Sequence, residues 1–328
     1  MVRAVALARR RGRLTLVGVG DAPLDPGPAP AHGGAQARAV AAVLEGAGCA
    51  RGPVIAGLPG PTALVRRVVV APERRSDLPA AVARALEPQV PFALTEASVD
   101  WQVLEGGPTR PAGGLEVLAV AARRDRVAER VGLFDEAGRH PACLDADACA
   151  LTNAVVANHP EVTDRTVALV HVGHTSTVVC ICERGQPVVV RDVLVAGRRY
   201  LQGFDRDLGL GPAEALRRLR VEAAEADPGT ADVVLAVNRQ IAAEVARTLD
   251  AALPAGSHRL VQQVWVSGGA SRAMGLVDAL ASTLGLPVAA FNPFAAVHGF
   301  EALTSPPEWP PAFAVALGLA LRGGRERS

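Results

Sequence analysis

The sequence predicts an α/β fold made of two related halves, and three repeated observations carry that reading. Residues 2–19 (VRAVALARRRGRLTLVGV) and 177–194 (TVVCICERGQPVVVRDVL) share one pattern. Each is an apolar run, a basic residue with Gly at a tight turn, then a second apolar run, which is a hairpin signal. A helix-like stretch follows each hairpin, AQARAVAAVLEG in the first half and GRRYLQGFDRDLG in the second. A short strand with a glycine end comes next, VIAGLPG (54–60) or VWVSGGA (264–270).

The second half has one element more. An apolar strand, TVALVHV (166–172), and the turn GHTS precede its hairpin. In the first half Met1 stands where the counterpart would begin. Either the start is placed late or the protein lacks this strand and loop. A fold missing the strand exposes a neighbouring sheet edge, an aggregation liability that favours the late start.

Two insertions interrupt the repeat. Residues 73–140 predict a small α+β module: helix LPAAVARALEP, strands VDWQVL and LEVLAVAA, and helix RDRVAERVGLFDEAG. Gly and Pro crowd into GGPTRPAGG (106–114), its loop. Residues 205–258 are mostly helical, with Val237, Ile241, Val245, Leu249 and Leu253 at near-helical spacing and PAGSH as the stop. The composition of DAPLDPGPAPAHGG (21–34) is that of a surface loop. The domain organisation is thus a first lobe over 1–160, with the 73–140 module inserted, and a second over 161–328, with the helical insertion at 205–258.

The chain has 328 residues, 49% hydrophobic and 20% charged, with net charge +1. That length suits about two domains with ample core. The near-neutral balance gives no electrostatic reason to expect nucleic acid. All 34 basic residues are Arg, so no lysine ammonium is present to grip a phosphate or form a Schiff base. Cys49, Cys143, Cys149, Cys180 and Cys182 are odd in number and scattered without C-x-x-C, which predicts buried free thiols in a reducing cytoplasm. No secretory signal is visible. AFAVALGLAL (312–321) is too short for a membrane span of roughly 20 residues and predicts a buried helix after Pro310 and Pro311.

Two glycine turns are the candidates for chemistry. In GHTST, Gly173 admits close backbone approach by an anion, and Ser176 and Thr177 offer hydroxyls. In SGGASRAMGL, Gly268, Gly269 and Ala270 end a strand before a helix that starts near Arg272. Each alone reads equally well as a structural connection; their pairing points to a nucleotide-related origin. Glu214 and Arg217, at i, i+3, share a helix face and could hold a ribose or a base edge, or simply form a solvated pair. His171 and His174 lack a third ligand, so no metal is expected. Asp147 in PACLDADACAL reads as a helix N-cap. No Ser/His/Asp signature or G-x-S-x-G is present.

At this point the chain resembles the type IV pilus assembly protein PilM family, actin-like relatives of the division protein FtsA. VRAVAL is similar to the segment after the family's first phosphate loop. LPGPTALVRRVVVAP resembles its strand with a characteristic Arg, here Arg66. ALEPQVPFALTEASVDWQVL and the LEVLAVAARRDRVAERVGLFDEAGRHPACLDADACAL block follow in family order. VSGGASRAMGL, PVAAFNPF and AFAVALGLALRG resemble the adenosine loop, its trailing strand and the closing helix. The resemblance implies an actin-like duplicated fold with a small α+β insertion in the first lobe and ATP between the halves. It also implies a cytoplasmic groove for the N-terminal tail of a PilN-like inner-membrane protein. Contacts to other pilus platform proteins and the motor are implied too, with membrane association through partners rather than insertion.

The departures from the family pattern concern the nucleotide. Its first phosphate loop is absent up to Val2, with Arg3 at the Lys position. His171 stands at the acid of the second loop, and Arg217 replaces a Lys. Mg²⁺ prefers carboxylate and phosphate oxygens, so histidine suits that post poorly. The expectation is ATP binding at a degenerate site, with Mg²⁺ doubtful and hydrolysis weak or absent. A sugar kinase of the same superfamily is the alternative enzyme reading, but no acid base follows the glycine turns. An FtsA-like filament protein is a third reading, but the tail GLALRGGRERS lacks an apolar stripe for a membrane.

Overall fold

A computed structural model of the protein describes residues 1–24, 32–49, 52–71, 75–104, 114–220, 225–253 and 260–325. The first half opens with the expected hairpin, β1 (Val2–Arg10) antiparallel to β2 (Arg13–Ala22). Its turn is Arg11–Gly12, with φ of 50° and 81°. Positive φ at both central residues makes a turn whose twist matches the strands. The loop expected over 21–34 is shorter than its composition suggests. β2 runs through Ala22 and α1 (His32–Gly46) starts before the glycines end, while 25–31 lie outside the described residues. β3 (Ile55–Leu58) follows as expected.

The inserted module draws in a strand from ahead of residue 73. β4 (Ala63–Val70) precedes α2 (Leu78–Leu86), β5 (Ala97–Val103) and β6 (Leu115–Arg123), and the sheet order is β4-β6-β5. Val68 and Val70 of β4 pack against Leu78, Val82 and Leu86 of α2 in a separate small core. Arg67 of β4 bridges Glu116 at 2.6 Å and Glu183 of the second half at 3.5 Å. Most of the loop expected at 106–114 lies outside the described residues. α3 (Arg124–Glu136) turns back to α1, with Phe134 buried beside Val40 and Leu44. β7 (Cys143–Ala146) pairs in parallel with β3, and α4 (Asp147–Asn158) closes the half.

The second half holds a five-stranded sheet in the order β10-β9-β8-β11-β12. β8 (Thr166–Val172) is central, buried on both faces, as its unbroken apolar run requires. β9 (Thr177–Glu183) and β10 (Gln186–Val193) turn on Arg184–Gly185 at φ 52° and 69°. This Arg–Gly turn repeats the one at Arg11–Gly12 and supports the duplication. α5 (Arg198–Leu208), α6 (Pro212–Arg218) and α7 (Pro228–Ala252) supply the expected helical stretch; PAGSH lies outside the described residues. Val237, Ile241, Val245 and Leu249 face the sheet, whereas Leu253 is only half-buried just past the helix end. β11 (Gln263–Ser267), α8 (Leu276–Leu284), β12 (Val288–Ala290) and α9 (Ala314–Arg325) complete the chain.

Tyr200 donates to Asn238 Oδ1 at 2.7 Å, and Asn238 Nδ2 donates to the Met274 carbonyl at 2.8 Å, so the buried polar groups between α5, α7 and α8 are paired. α9 follows Pro310 and Pro311 and crosses α4 at backbone distance. A Cβ on Gly318 would stand 1.7 Å from the Ala150 carbonyl oxygen. All five cysteines are free thiols, but only Cys180 and Cys182 are buried; the other three are half-buried. Among the described residues no helix is long and apolar enough to cross a membrane.

Candidate nucleotide cleft and peptide groove

The two glycine turns meet at the end of the five-stranded sheet. The Gly173 N–H donates to the Ser176 carbonyl at 3.0 Å, which closes the β8–β9 turn. Gly197 N–H donates to Gly173 O at 3.0 Å, and Arg198 N–H to His174 O at 2.7 Å, so the turn is tied to the start of α5. Opposite, Gly268 has φ 101°, and a Cβ there would lie 2.3 Å from the Val172 carbonyl oxygen. Only glycine meets both demands. Ala270 packs against Gly197, where an added Cβ would be 2.9 Å from its own. Ser271 Oγ donates to Gly268 O at 2.7 Å and accepts from Trp309 Nε1 at 3.1 Å, which fixes the second turn.

Gly173, Ser176, Gly268, Gly269 and Ala270 are thus brought together where the two turns meet. Thr177 differs from the expectation of an available hydroxyl. It is fully buried and its Oγ1 donates to Val195 O at 2.7 Å. Glu214 and Arg217 form the solvated pair: Arg217 donates to Glu214, which also accepts from Arg218 at 2.9 Å.

His171 sits at the same end of the sheet, paired across strands with Ser267 of β11. Its Nδ1 is 3.0 Å from Ser267 Oγ on the neighbouring strand. Burial, aided by the Arg3 charge, pushes its imidazole down to about 4, so it is neutral near pH 7. Arg3 leans over the second turn, with its Nη2 3.1 Å from where a Gly269 Cβ would be, and its guanidinium 5.7 Å from the Phe313 ring centroid. His174 is exposed and does not join His171.

Asp147 is not the N-cap that its position suggests. It is the first residue of α4, and Ala146 precedes it without a side-chain cap. Its Oδ1 lies against Gly57, 2.3 Å from an added Cβ, and Arg130 Nε donates to Gly57 O at 3.0 Å beside it. Burial lifts the Asp147 carboxyl to about 6 despite Arg130. Asp192 on β10 is similar: burial raises it to about 6, Arg66 opposes, and its buried Oδ1 has no hydrogen-bond partner. Neither acid stands out in the sequence as part of a site. The only signal is an acid directly after the apolar strand end in LDADACAL.

A separate groove of about 710 Å³ lies between the inserted sheet and α4. Val99 and Trp101 of β5 and Val120 of β6 form one wall, Asn153 and Val156 of α4 the other. The β9–β10 hairpin closes one side with Arg184 and Gly185 of its turn and Gln186 and Pro187 of β10. Asp145, buried in the groove, pairs with Arg322 of α9 at 3.2 Å. β5 is an edge strand, and among the described residues its outer edge has no strand partner.

A family model described as type IV pilus assembly protein PilM matches residues 2–324. Among solved structures, a chain of the PilM-PilN type IV pilus biogenesis complex is 25% identical. It superposes with a TM-score of 0.84 over 98% of this chain and 95% of that one. The ethanolamine utilization protein EutJ from Carboxydothermus hydrogenoformans is 17% identical over 60% of each chain, at a TM-score of 0.46. MreB 5 of Spiroplasma citri bound to AMPPNP is 13% identical over 63% of this chain and 66% of that one, at 0.47. These last two are too distant to carry an argument. The internal repeat, the facing glycine turns, the inserted three-stranded sheet and the end-to-end match agree. The fold is the actin-like, duplicated two-lobe fold, and the chain belongs to the type IV pilus assembly protein PilM family.

Proposed function

We propose that this protein is a cytoplasmic scaffold of the type IV pilus inner-membrane platform, and that its groove receives the N-terminal tail of a PilN-like membrane protein. The observation that carries this is the groove between β5 and α4. It combines about 710 Å³ of space, walls that mix apolar side chains such as Val99, Trp101 and Val156 with polar ones, and an unpaired strand edge. An extended peptide can add main-chain hydrogen bonds to such an edge while its side chains fill alternate pockets. The similarity to a chain of a PilM-PilN complex supports the choice of partner. Its lobes are residues 1–160 and 161–328, and other platform proteins and the motor would dock outside the groove.

The test is direct titration of the protein with a fluorescent peptide from the cytoplasmic tail of a PilN-like protein of the same organism. Trp101→Ala should weaken binding about 30-fold, the ~2 kcal/mol expected of a buried aromatic anchor. Equal affinity for both proteins, or no binding at all, overturns the assignment.

The nucleotide site is read as degenerate, binding ATP weakly without turnover. Gly173, Gly268, Gly269 and Ala270 suit a phosphate and a flat base. Ser176 borders them; Thr177, Glu214 and Arg217 are engaged elsewhere in the protein. A divalent cation does not fit at His171, a neutral imidazole beside the Arg3 charge. ATP affinity measured with and without Mg²⁺ should therefore differ by less than about twofold, and His171→Asp should create a Mg²⁺ dependence. Tight, Mg²⁺-dependent binding by the unaltered protein would contradict this.

A further inference from the structure

The two duplicated hairpins act as controls for each other. Arg11–Gly12 and Arg184–Gly185 make the same turn, at φ 50° and 81° against 52° and 69°. Their flanks differ. In the second half the cross-strand pair Glu183 and Gln186 closes the turn. In the first, Arg10 and Arg13 close it, directly opposite each other, with Arg9 next along β1. The turn itself thus needs no more than one Arg–Gly, and three further arginines at the β1–β2 tip play no part in its geometry. Like charges directly opposite in an antiparallel pair are destabilising. No acid precedes Asp21 in the sequence. Among the described residues the side chains of Arg10, Arg11 and Arg13 have no hydrogen-bond or ion-pair partner. A local rule broken without compensation inside the fold is the mark of a functional position.

Residues 9–13 are all exposed. Successive strand side chains alternate between faces, so Arg9 and Arg10 point to opposite sides and the charge surrounds the end of the ribbon. Arg10, Arg11 and Arg13 line neither the peptide groove nor the cavity bordered by β1. Such a projection gives a small anion no enclosure, but it offers a flat anionic surface several contacts at once. The tip carries four positive charges and the whole chain a net +1, so the remainder is net negative. An anionic surface therefore attracts this end of the molecule and repels the rest, which sets an orientation.

We propose that the β1–β2 tip is a contact site for the anionic lipid headgroups of the membrane beside which the protein works. The contact is electrostatic and superficial, because residues 9–13 are four arginines and a glycine with no apolar anchor. Each basic residue near such a surface strengthens binding roughly fivefold, so four give on the order of a thousandfold. That is weak alone and becomes effective once a second link holds the protein near the bilayer. The choice of a membrane over an acidic protein segment rests on the proposed function, in which a PilN-like tail supplies that second link.

The test is co-sedimentation of the full chain with vesicles of phosphatidylcholine, alone or mixed with phosphatidylglycerol, with and without a lipid-anchored PilN-like tail peptide. At low salt the protein should bind the mixed vesicles and not the neutral ones, and more tightly with the tail peptide. It should leave the peptide-free vesicles near 1 M salt, where the screening length is about 3 Å. Arg10→Gln with Arg13→Gln should weaken binding to the mixed vesicles about 30-fold. The Tm of that variant should be unchanged or slightly higher, because the opposed charges are gone. Arg10→Lys with Arg13→Lys should bind like the unaltered protein, since a lipid surface reads charge rather than guanidinium geometry. If the tail peptide adds nothing, the groove reading fails and the tip is still judged on the peptide-free vesicles. Equal binding by the Gln variant and the unaltered protein, or no preference for mixed over neutral vesicles, overturns the proposal. Tip-dependent binding to soluble polyglutamate but not to mixed vesicles overturns it in favour of an acidic protein segment.

Discussion

Gly318→Ala is expected to destabilise the protein by about 3 kcal/mol, and Gly318→Val by more. The three nearest obstacles to an added Cβ are all main-chain atoms of Ala150: the oxygen at 1.7 Å, the carbon at 2.3 Å and Cα at 2.9 Å. A side-chain rotation relieves none of them, so α4 and α9 must separate. Both helices bury small residues at this crossing, Ala148, Ala150 and Ala154 on one side and Ala314 on the other. Separation would open the largest shared core, which also includes Leu151, Leu169, Phe313 and Leu317. Native stabilities are of order 5–15 kcal/mol, so a loss of this size should lower soluble yield as well as the urea midpoint. Gly132→Ala in α3 is the control. An added Cβ there meets nothing within 4 Å, and the change should be neutral or stabilising by up to about 1 kcal/mol. Equal urea midpoints for Gly318→Ala and Gly132→Ala would refute the close-packing account.

The second large effect is a pair of opposing pH dependences. Asp147 titrates at about 6 in the folded protein against an ordinary 3.8, so the folded state holds the proton more tightly. Its share of stability is full below pH 3.8 and is lost as pH rises to about 6. Over that shift of two units the loss is of order 3 kcal/mol. His171 titrates at about 4 against 6.5, so the folded state refuses the proton. Its share is full above pH 6.5 and is lost as pH falls to about 4, again on the order of 3 kcal/mol. Asp192 adds to the Asp147 side, reduced by solvent screening. In the unaltered protein these slopes largely cancel between pH 4 and 6. Asp147→Asn should therefore make stability climb with pH across this window and should raise it by about 2–3 kcal/mol at pH 7. His171→Gln should make stability fall over the same range. Urea unfolding at pH 4.5 and pH 7 reads both signs; parallel profiles for the three proteins would rule out this assignment of charges.

The framework was legible in the sequence because its signals are local. Two Arg–Gly turns inside apolar runs, glycine-ended strands and a 3.6-residue period in Val237–Leu249 each depend on neighbours within a dozen residues. β4 was legible as a strand in ALVRRVVV, but its membership in the inserted sheet was not. Register with Leu115–Ala122 depends on a pairing roughly fifty residues away. The two glycine turns and the Glu214–Arg217 pair are legible from local spacing, whereas the fate of Thr177 turns on a hydrogen bond to Val195 that no pattern encodes. Asp147 illustrates the limit most plainly. A cap and a half-buried, proton-holding acid look the same in a string of letters; Arg130 and Gly57, which decide between them, come from other elements.

Arg67 reaches from the inserted sheet to Glu183 at the end of β9, and the groove beside it has both walls in the first half of the molecule and one side closed by the β9–β10 hairpin of the second. The groove therefore works as a caliper. Any swing of one lobe against the other changes its opening, and a guest that wedges its jaws apart or draws them together reports on, and constrains, the posture of the whole protein.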